Sequence, residues 1–291
     1  MACISPAANE PGFAGRTRSA RAAAMGALDA AEESPNARRT PRRMLHALFL
    51  IANLGLVPPV SSAPLDLVLT APDGVKVFAQ SYAAPNPNAP VILLFHQAGS
   101  NKSEYAPIAP RLVQLGYNAL AIDQRSGGDL YAPPNQTVAQ LGRSTPYRDV
   151  LPDMEAALAW AKRSHPHVPV YVWGSSYSAA LAFPFAAAHP RDVAALLAFS
   201  PGEYLDDKSA VRAAARHVSV PVFIDSGSDP QEVANARAIF AAVASKHKVE
   251  YVPAHGIHGS STLRSDRDPA GADENWRAVS AFLKDLPAGQ S

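Results

Sequence analysis

V-P-V-Y-V-W-G-S-S-Y-S, residues 168–178, changes character halfway along. Residues 168–172 alternate β-branched and aromatic side chains, Gly174 and small polar residues then break the run, and an Ala-rich segment at 179–189 follows. That pattern predicts a strand, a sharp turn and a helix. A Ser at the tip of such a turn, with small residues two before and two after, fits the nucleophile elbow G-x-S-x-G, with Ser176 at its centre. Large side chains at the flanking positions would clash where strand and helix cross. Ser178 stands where the motif has its second Gly. Taken alone, the pentapeptide is equally a plain strand-to-helix loop built of small residues.

Working outward, strands and helices alternate. Residues 65–70 and 75–81 flank A-P-D-G, a turn signal, and predict an antiparallel hairpin at a sheet edge. The apolar run 91–95 predicts a strand buried on both faces, ending in H-Q-A-G-S at 96–100. Tyr105, Ile108, Leu112 and Leu115 have helical spacing within 104–115, and Gly116 ends the segment. A strand at 118–122 leads into D-Q-R-S-G-G, and a loop from Gly127 to Pro146 carries Tyr131, Pro133 and Pro134. A helix is expected over 147–164, with Met154, Leu158 and Trp160 or Ala161 inward. Beyond the elbow helix, strands are expected at 193–199, 220–224 and 248–252. Helices are expected at 209–217, 230–246 and 273–286, the last with Trp276, Val279, Phe282 and Leu283 on one face. This order predicts a three-layer α/β architecture: a mostly parallel sheet of about eight strands with helices on both faces.

Composition is that of an ordinary globular chain: 291 residues, 47% hydrophobic and 18% charged. The formal net charge of +1 conceals an asymmetry. Residues 1–63 hold seven basic and four acidic side chains, which leaves 19 basic and 21 acidic in 64–291 and no basic footprint for nucleic acid. Residues 1–40 lack a sustained apolar period. R-R-T-P-R-R at 38–43, the apolar run 45–57 and V-S-S-A at 60–63 then describe a secretory signal, cleaved after Ser62 or Ala63. Met44 offers a second start. The apolar run is 13 residues with Asn53 inside it, short for a membrane span and open to reading as a core helix. We therefore expect an N-terminal extension with signal over 1–63 and a catalytic domain over 64–291, exported to the periplasm or secreted if the segment acts as a signal and cytoplasmic otherwise. The sole cysteine, Cys3, lies in the part expected to be lost, so the mature chain is expected to have no disulfide, thiol nucleophile or Cys metal site.

In a parallel sheet, chemistry collects at the carboxyl ends of the strands. There the sequence places residues 96–100, Ser176, D-S-G-S-D-P with Asp229, and A-H-G-I-H-G with His255 and His258. Ser, acid and His in that chain order is the order the elbow motif requires.

At this point the chain resembles the α/β-hydrolase superfamily, and is similar within it to dienelactone hydrolases and small capless serine esterases. The resemblance covers residues 65–286 and rests on G-S-S-Y-S at 174–178, H-Q-A-G-S at 96–100, G-S-D-P at 227–230 and H-G at 258–259. It implies the α/β-hydrolase fold, with Ser176 as nucleophile, Asp229 as acid and His258 as base. Gln97 departs from the family, many of whose members have Gly after the His.

The chemistry is consistent with those roles: a serine hydroxyl needs a neutral imidazole to take its proton, and a carboxylate to orient that imidazole. Backbone N–H groups of Tyr177 and Ala98 would meet the developing oxyanion. His255 is a rival base, and Asp206, Asp207 and Asp225 are rival acids. His96 is expected to organise its loop by hydrogen bonds, and Asp123 to contact Arg125. His255 and His258 lack a third ligand, so no metal and no cofactor are expected. With only about 20 mostly helical residues between Ser200 and Val220, no large cap is expected. The expected activity is hydrolysis of carboxylic esters through an acyl-enzyme, acting on a small-molecule acyl substrate without nucleic acid or a stable membrane anchor. Peptidase, amidase or lactone-hydrolase activity on the same residues is the alternative, and a non-catalytic binding protein the rival class.

Overall fold

The computed structural model describes residues 63–286. The expected signal segment and the boundary after it fall outside those residues, apart from Ala63 itself. Eight strands form one sheet: β1 (Leu65–Thr70), β2 (Lys76–Tyr82), β3 (Val91–Phe95), β4 (Asn118–Ile122), β5 (Val170–Ser175), β6 (Val193–Phe199), β7 (Val222–Asp225) and β8 (Lys248–Tyr251). They lie in the order β1-β2-β4-β3-β5-β6-β7-β8. The hairpin β1–β2 is antiparallel and β2 meets β4 antiparallel, while every pairing from β4 to β8 is parallel. The continuous apolar runs of β3 and β4 are buried at every position, as strands covered on both faces must be.

Alternate side chains of each strand feed two apolar layers. Val91, Leu93 and Phe95 pack with α3 (Leu151–Ser164), α4 (Tyr177–Ala188), α5 (Ala210–Ala215) and α6 (Pro230–Ala242). Ile92 and Leu94 pack with α1 (Ala109–Gln114) and α7 (Ala272–Asp285), whose Trp276, Val279, Phe282 and Leu283 are buried as one face.

Prolines account for most boundary differences. The helix expected over 104–115 is a 3-10 turn, Lys102–Tyr105, followed by α1, because Pro107 and Pro110 lack the N–H that a continuous helix requires. Pro152 likewise starts α3 only at Leu151, after a separate 3-10 turn at Tyr147–Val150. The long loop contains a helix not expected from the sequence, α2 (Gln136–Leu141), capped by Asn135, which accepts from Val138 N–H, and stopped by Gly142 in the left-handed region. Polar stop signals at both ends were its only sequence mark.

Charges hold the loops at the carboxyl edge. Asp123 does not contact Arg125 as expected; it accepts from Lys102 Nζ at 2.7 Å and from the backbone N–H groups of Lys102 and Gln136. Arg125 instead clamps the fully buried Asp153 through Nε and Nη2, at 3.0 and 2.7 Å, and reaches Asp73 in the hairpin turn. Residues from other elements thus supply Asp123 with donors and Arg125 with carboxylate acceptors. At the end of β7, Asp225 is buried with Oδ1 accepting from Gly227 N–H at 3.0 Å and Oδ2 without a partner among the described residues. Burial, together with the charges of Glu232 and Asp268, pushes its carboxyl up to about 7.

Two stability predictions follow from these buried charges. Arg125→Ala leaves Asp153 buried and unpaired, so it should destabilise by about 3–5 kcal/mol in urea unfolding, with Asp153→Asn partly restoring the loss. For Asp225, a carboxyl that binds its proton more tightly when folded makes stability fall as pH rises from the unfolded value of 3.8 through about 7. Asp225→Asn should therefore flatten the decline in Tm between pH 5 and pH 8 by about 3 °C or more; equal declines in both proteins would refute the assignment.

Candidate active site

The strand-to-helix turn is the sharpest bend at the carboxyl edge. Ser176 sits at φ 59° and ψ −120°, a conformation disfavoured for any residue with a Cβ. Its N–H donates to Phe199 O at 2.8 Å, tying the tip to the end of β6. Two residues earlier, a Cβ on Gly174 would lie 2.5 Å from Ser178 O and 2.6 Å from Ala179 Cα, so only glycine lets α4 cross so closely. The position of Ser178 has no such need. Its hydroxyl is buried and donates to His96 O at 2.6 Å, joining the elbow helix to the loop after β3.

His258 comes from the loop after β8. Its Nε2 lies 2.7 Å from Ser176 Oγ, and its Nδ1 lies 2.8 Å from Glu232 Oε1. A neutral ring protonated on Nδ1 donates to the glutamate and accepts from the serine hydroxyl. The sequence-based acid, Asp229, is not brought to this histidine. It is the exposed cap of α6, where Oδ1 accepts from Gln231 N–H at 2.9 Å and Glu232 N–H at 3.1 Å. Pro230, fixed in the first turn, starts the helix there and commits the preceding carboxylate to its free N–H groups. Glu232, three residues on, projects toward the histidine loop. It carries a buried Oε2 without a partner among the described residues.

The rivals lie elsewhere. His255 is exposed, Asp206 pairs with Arg148 at 2.6 Å on the surface, and Asp207 accepts from Ser209 N–H and its hydroxyl. Asp225, although close in sequence to Asp229, is held at the end of β7.

The loop after β3 is built around buried polar groups. His96 Nε2 accepts from Gln124 N–H at 2.9 Å, its Nδ1–H donates to Gln97 O at 2.8 Å, and burial holds its pKa down at about 4. Gln97 donates from its side chain to Ser261 Oγ at 3.0 Å, which itself lies 2.7 Å from Tyr131 OH. Among the described residues, neither Ala98 N–H nor Tyr177 N–H donates to a protein acceptor. Both are the donors that sequence reasoning picked out for an oxyanion.

Behind the elbow, Tyr177 stacks on Tyr147 with ring centroids 4.3 Å apart. Tyr147, Leu151, Leu181, Pro184, Tyr204 and Leu205 line an apolar trough of about 290 Å³. Tyr131 and Pro133 line a second depression of about 440 Å³ with Arg264, while Pro134 does not contribute to it. A cavity of about 580 Å³ between residues 165–170 and 191–194 opens at the amino ends of β5 and β6, at the edge opposite Ser176.

Comparison with known proteins agrees with this fold. The family model described as serine aminopeptidase, S33, matches residues 86–223, a span that includes Ser176 and stops before Glu232 and His258. No curated protein matches the sequence. Among solved structures, the Pyrococcus furiosus esterase Pf2001 superimposes with TM-score 0.59 at 21% identity, over 77% of this chain and 93% of that one. The dienelactone hydrolase from Anabaena variabilis gives 0.62 at 17% identity, over 77% and 98%. A carboxyl esterase from Bacillus coagulans gives 0.60 at 13% identity, over 78% and 99%. An eight-stranded sheet of this order, its elbow at the end of β5 and these neighbours give the chain the α/β-hydrolase fold.

Proposed function

We propose that the protein is a serine hydrolase that cleaves carboxylic esters through an acyl-enzyme, with Ser176 as nucleophile, His258 as base and Glu232 as the acid. The observation that carries this reading is the continuous line Ser176 Oγ, His258 Nε2, His258 Nδ1, Glu232 Oε1, with contacts of 2.7 and 2.8 Å. As Oγ attacks the ester carbonyl carbon, its proton passes to Nε2 and the carbonyl oxygen becomes an oxyanion facing the N–H groups of Ala98 and Tyr177. Glu232 stabilises the imidazolium. Collapse breaks the bond to the alkoxy oxygen, which leaves with the proton from His258; water then repeats the sequence on the acyl-serine and frees the acid.

The esterases and the dienelactone hydrolase that share the fold support small acyl substrates, and the basic and apolar run at 38–57 supports export before action. The serine aminopeptidase model favours peptides as a second reading. An aminopeptidase needs an acid for the substrate's free amino group. Here Glu203 is engaged by Arg212 and two backbone N–H groups, and Asp206 by Arg148.

Two predictions test the assignment. p-Nitrophenyl butyrate should be hydrolysed far faster than alanine p-nitroanilide, and Ser176→Ala should lower kcat by about 10⁴–10⁶-fold with the fold retained by circular dichroism; the reverse preference would favour the peptidase. Glu232→Gln should lower kcat by about 10³–10⁴-fold. Asp229→Ala should change kcat less than about tenfold while costing about 1 kcal/mol of stability through the lost cap, and the opposite ranking of the two variants would return the acid to Asp229.

A further inference from the structure

Eight residues beyond His96, the first 3-10 turn buries Glu104 completely. Its carboxylate faces no cation directly; the Arg264 guanidinium donates instead to the backbone oxygens of Glu104 and Ser103, at 2.9 and 3.0 Å. Burial raises the Glu104 pKa, against the bonds from Gln97, Ser175 and Ser100 and the charge of Arg264. A buried carboxylate is costly unless its oxygens are satisfied. Both are: Oε2 accepts from Gln97 N–H at 2.9 Å, and Oε1 accepts from Ser175 Oγ at 2.7 Å.

Ser175 extends the chain of bonds. Its Oγ accepts from Ser260 N–H at 2.8 Å, two residues after His258. Gly259, between them, has φ 69°, and a Cβ there would lie 2.5 Å from Ser175 Oγ. The close approach of the histidine loop to Ser175 therefore depends on that glycine. Ser175 immediately precedes the nucleophile, and Gln97 immediately precedes Ala98.

We propose that Glu104 is a positioning residue for the hydrolysis proposed above: one buried carboxylate fixes the loop that presents Ala98 N–H, the strand end that carries Ser176 and the loop that carries His258. The proposal rests on that hydrolase reading for its catalytic consequence, and on geometry alone for the network. A carboxylate suits the position because it only accepts. Gln97 N–H can only donate, and Ser175, already accepting from Ser260, has its own proton left to give. An amide in place of the carboxylate must turn its NH₂ toward one of them. If it keeps its oxygen on Gln97 N–H, Ser175 receives two donors and its proton loses its acceptor. The loops then settle by fractions of an ångström, and misplacement on the 1 Å scale costs about 10²-fold in rate.

The test combines ester kinetics with amide hydrogen exchange in Glu104→Gln and Ser175→Ala. Glu104→Gln should lower kcat about 10²-fold with KM changed less than about threefold, and should speed exchange at Gln97 or at Ser260 while distant strands of the sheet keep wild-type protection. Ser175→Ala, which leaves the Gln97 bond in place, should speed exchange at Ser260 and spare Gln97. Wild-type kcat in folded Glu104→Gln, or unchanged exchange at both amides, would overturn the proposal. If Glu104→Gln does not fold, Ser175→Ala decides: lowered kcat with faster Ser260 exchange supports it, and a wild-type value of either overturns it. A wild-type protein that neither turns over esters nor reacts with a fluorophosphonate would sink the hydrolase reading and the catalytic part of the proposal together, while exchange still reads the network by itself.

Discussion

The backbone at Ser176 is the constraint from which the site is built. A non-glycine residue at φ 59° costs of order 1–3 kcal/mol and persists only where its surroundings over-determine it. Here they do so from three directions. Ser176 N–H is held by the end of β6, Gly174 lets α4 cross β5 in near contact, and Ser178 anchors the helix to His96 O. What the strain secures is a hydroxyl 2.7 Å from His258 Nε2 at the start of a 12-residue helix, with the first helical N–H, that of Tyr177, next to it in the chain.

That tip works only if loops from other strands arrive at fixed positions, and the described residues contain no disulfide to hold them. Buried charges take that part. Lys102 and Asp123 join the loops after β3 and β4, Arg125 and Asp153 join the latter to α3, and Glu104 joins the loop after β3 to the elbow strand and, through Ser175, to the histidine loop. Each is placed where removing one partner would strand the other away from water. Such an arrangement favours a single loop geometry, at the cost of large sensitivity to single substitutions.

Fold and elbow were legible because both rest on local chemistry. Alternation and uninterrupted apolar runs mark strands, and an elbow needs small residues at fixed offsets, so Gly174, Ser176 and the strand ends could be found without coordinates. The carboxylate that meets His258 was not found, for a reason also written in the sequence. D-P-Q-E at 229–232 is a helix start: an aspartate before proline supplies the cap, and a glutamate three residues later falls one turn up the helix. Weighing Asp229 by its distance from the strand end overlooked the demand of the helix itself for that carboxylate. The partners of Asp123 and Arg125, and the network around Glu104, were invisible because they join residues 7 to 85 positions apart across different elements, and no periodicity encodes such pairs.

The same helix start explains how a glutamate serves beside two further acids. The charges of Glu232 and Asp268 both bear on the buried Asp225, and three negative charges there would oppose one another. Asp225 resolves the conflict by holding a proton up to about pH 7. Asp268 is surrounded by donors: its oxygens accept from Gly271 N–H at 3.0 Å, Asn275 Nδ2 at 3.3 Å and Thr262 Oγ1 at 3.3 Å. Glu232, in the first turn of α6, is then the carboxylate left to meet the histidine. Which carboxylate meets the histidine is thus a property of the folded environment, set by the partners that already hold Asp225, Asp229 and Asp268.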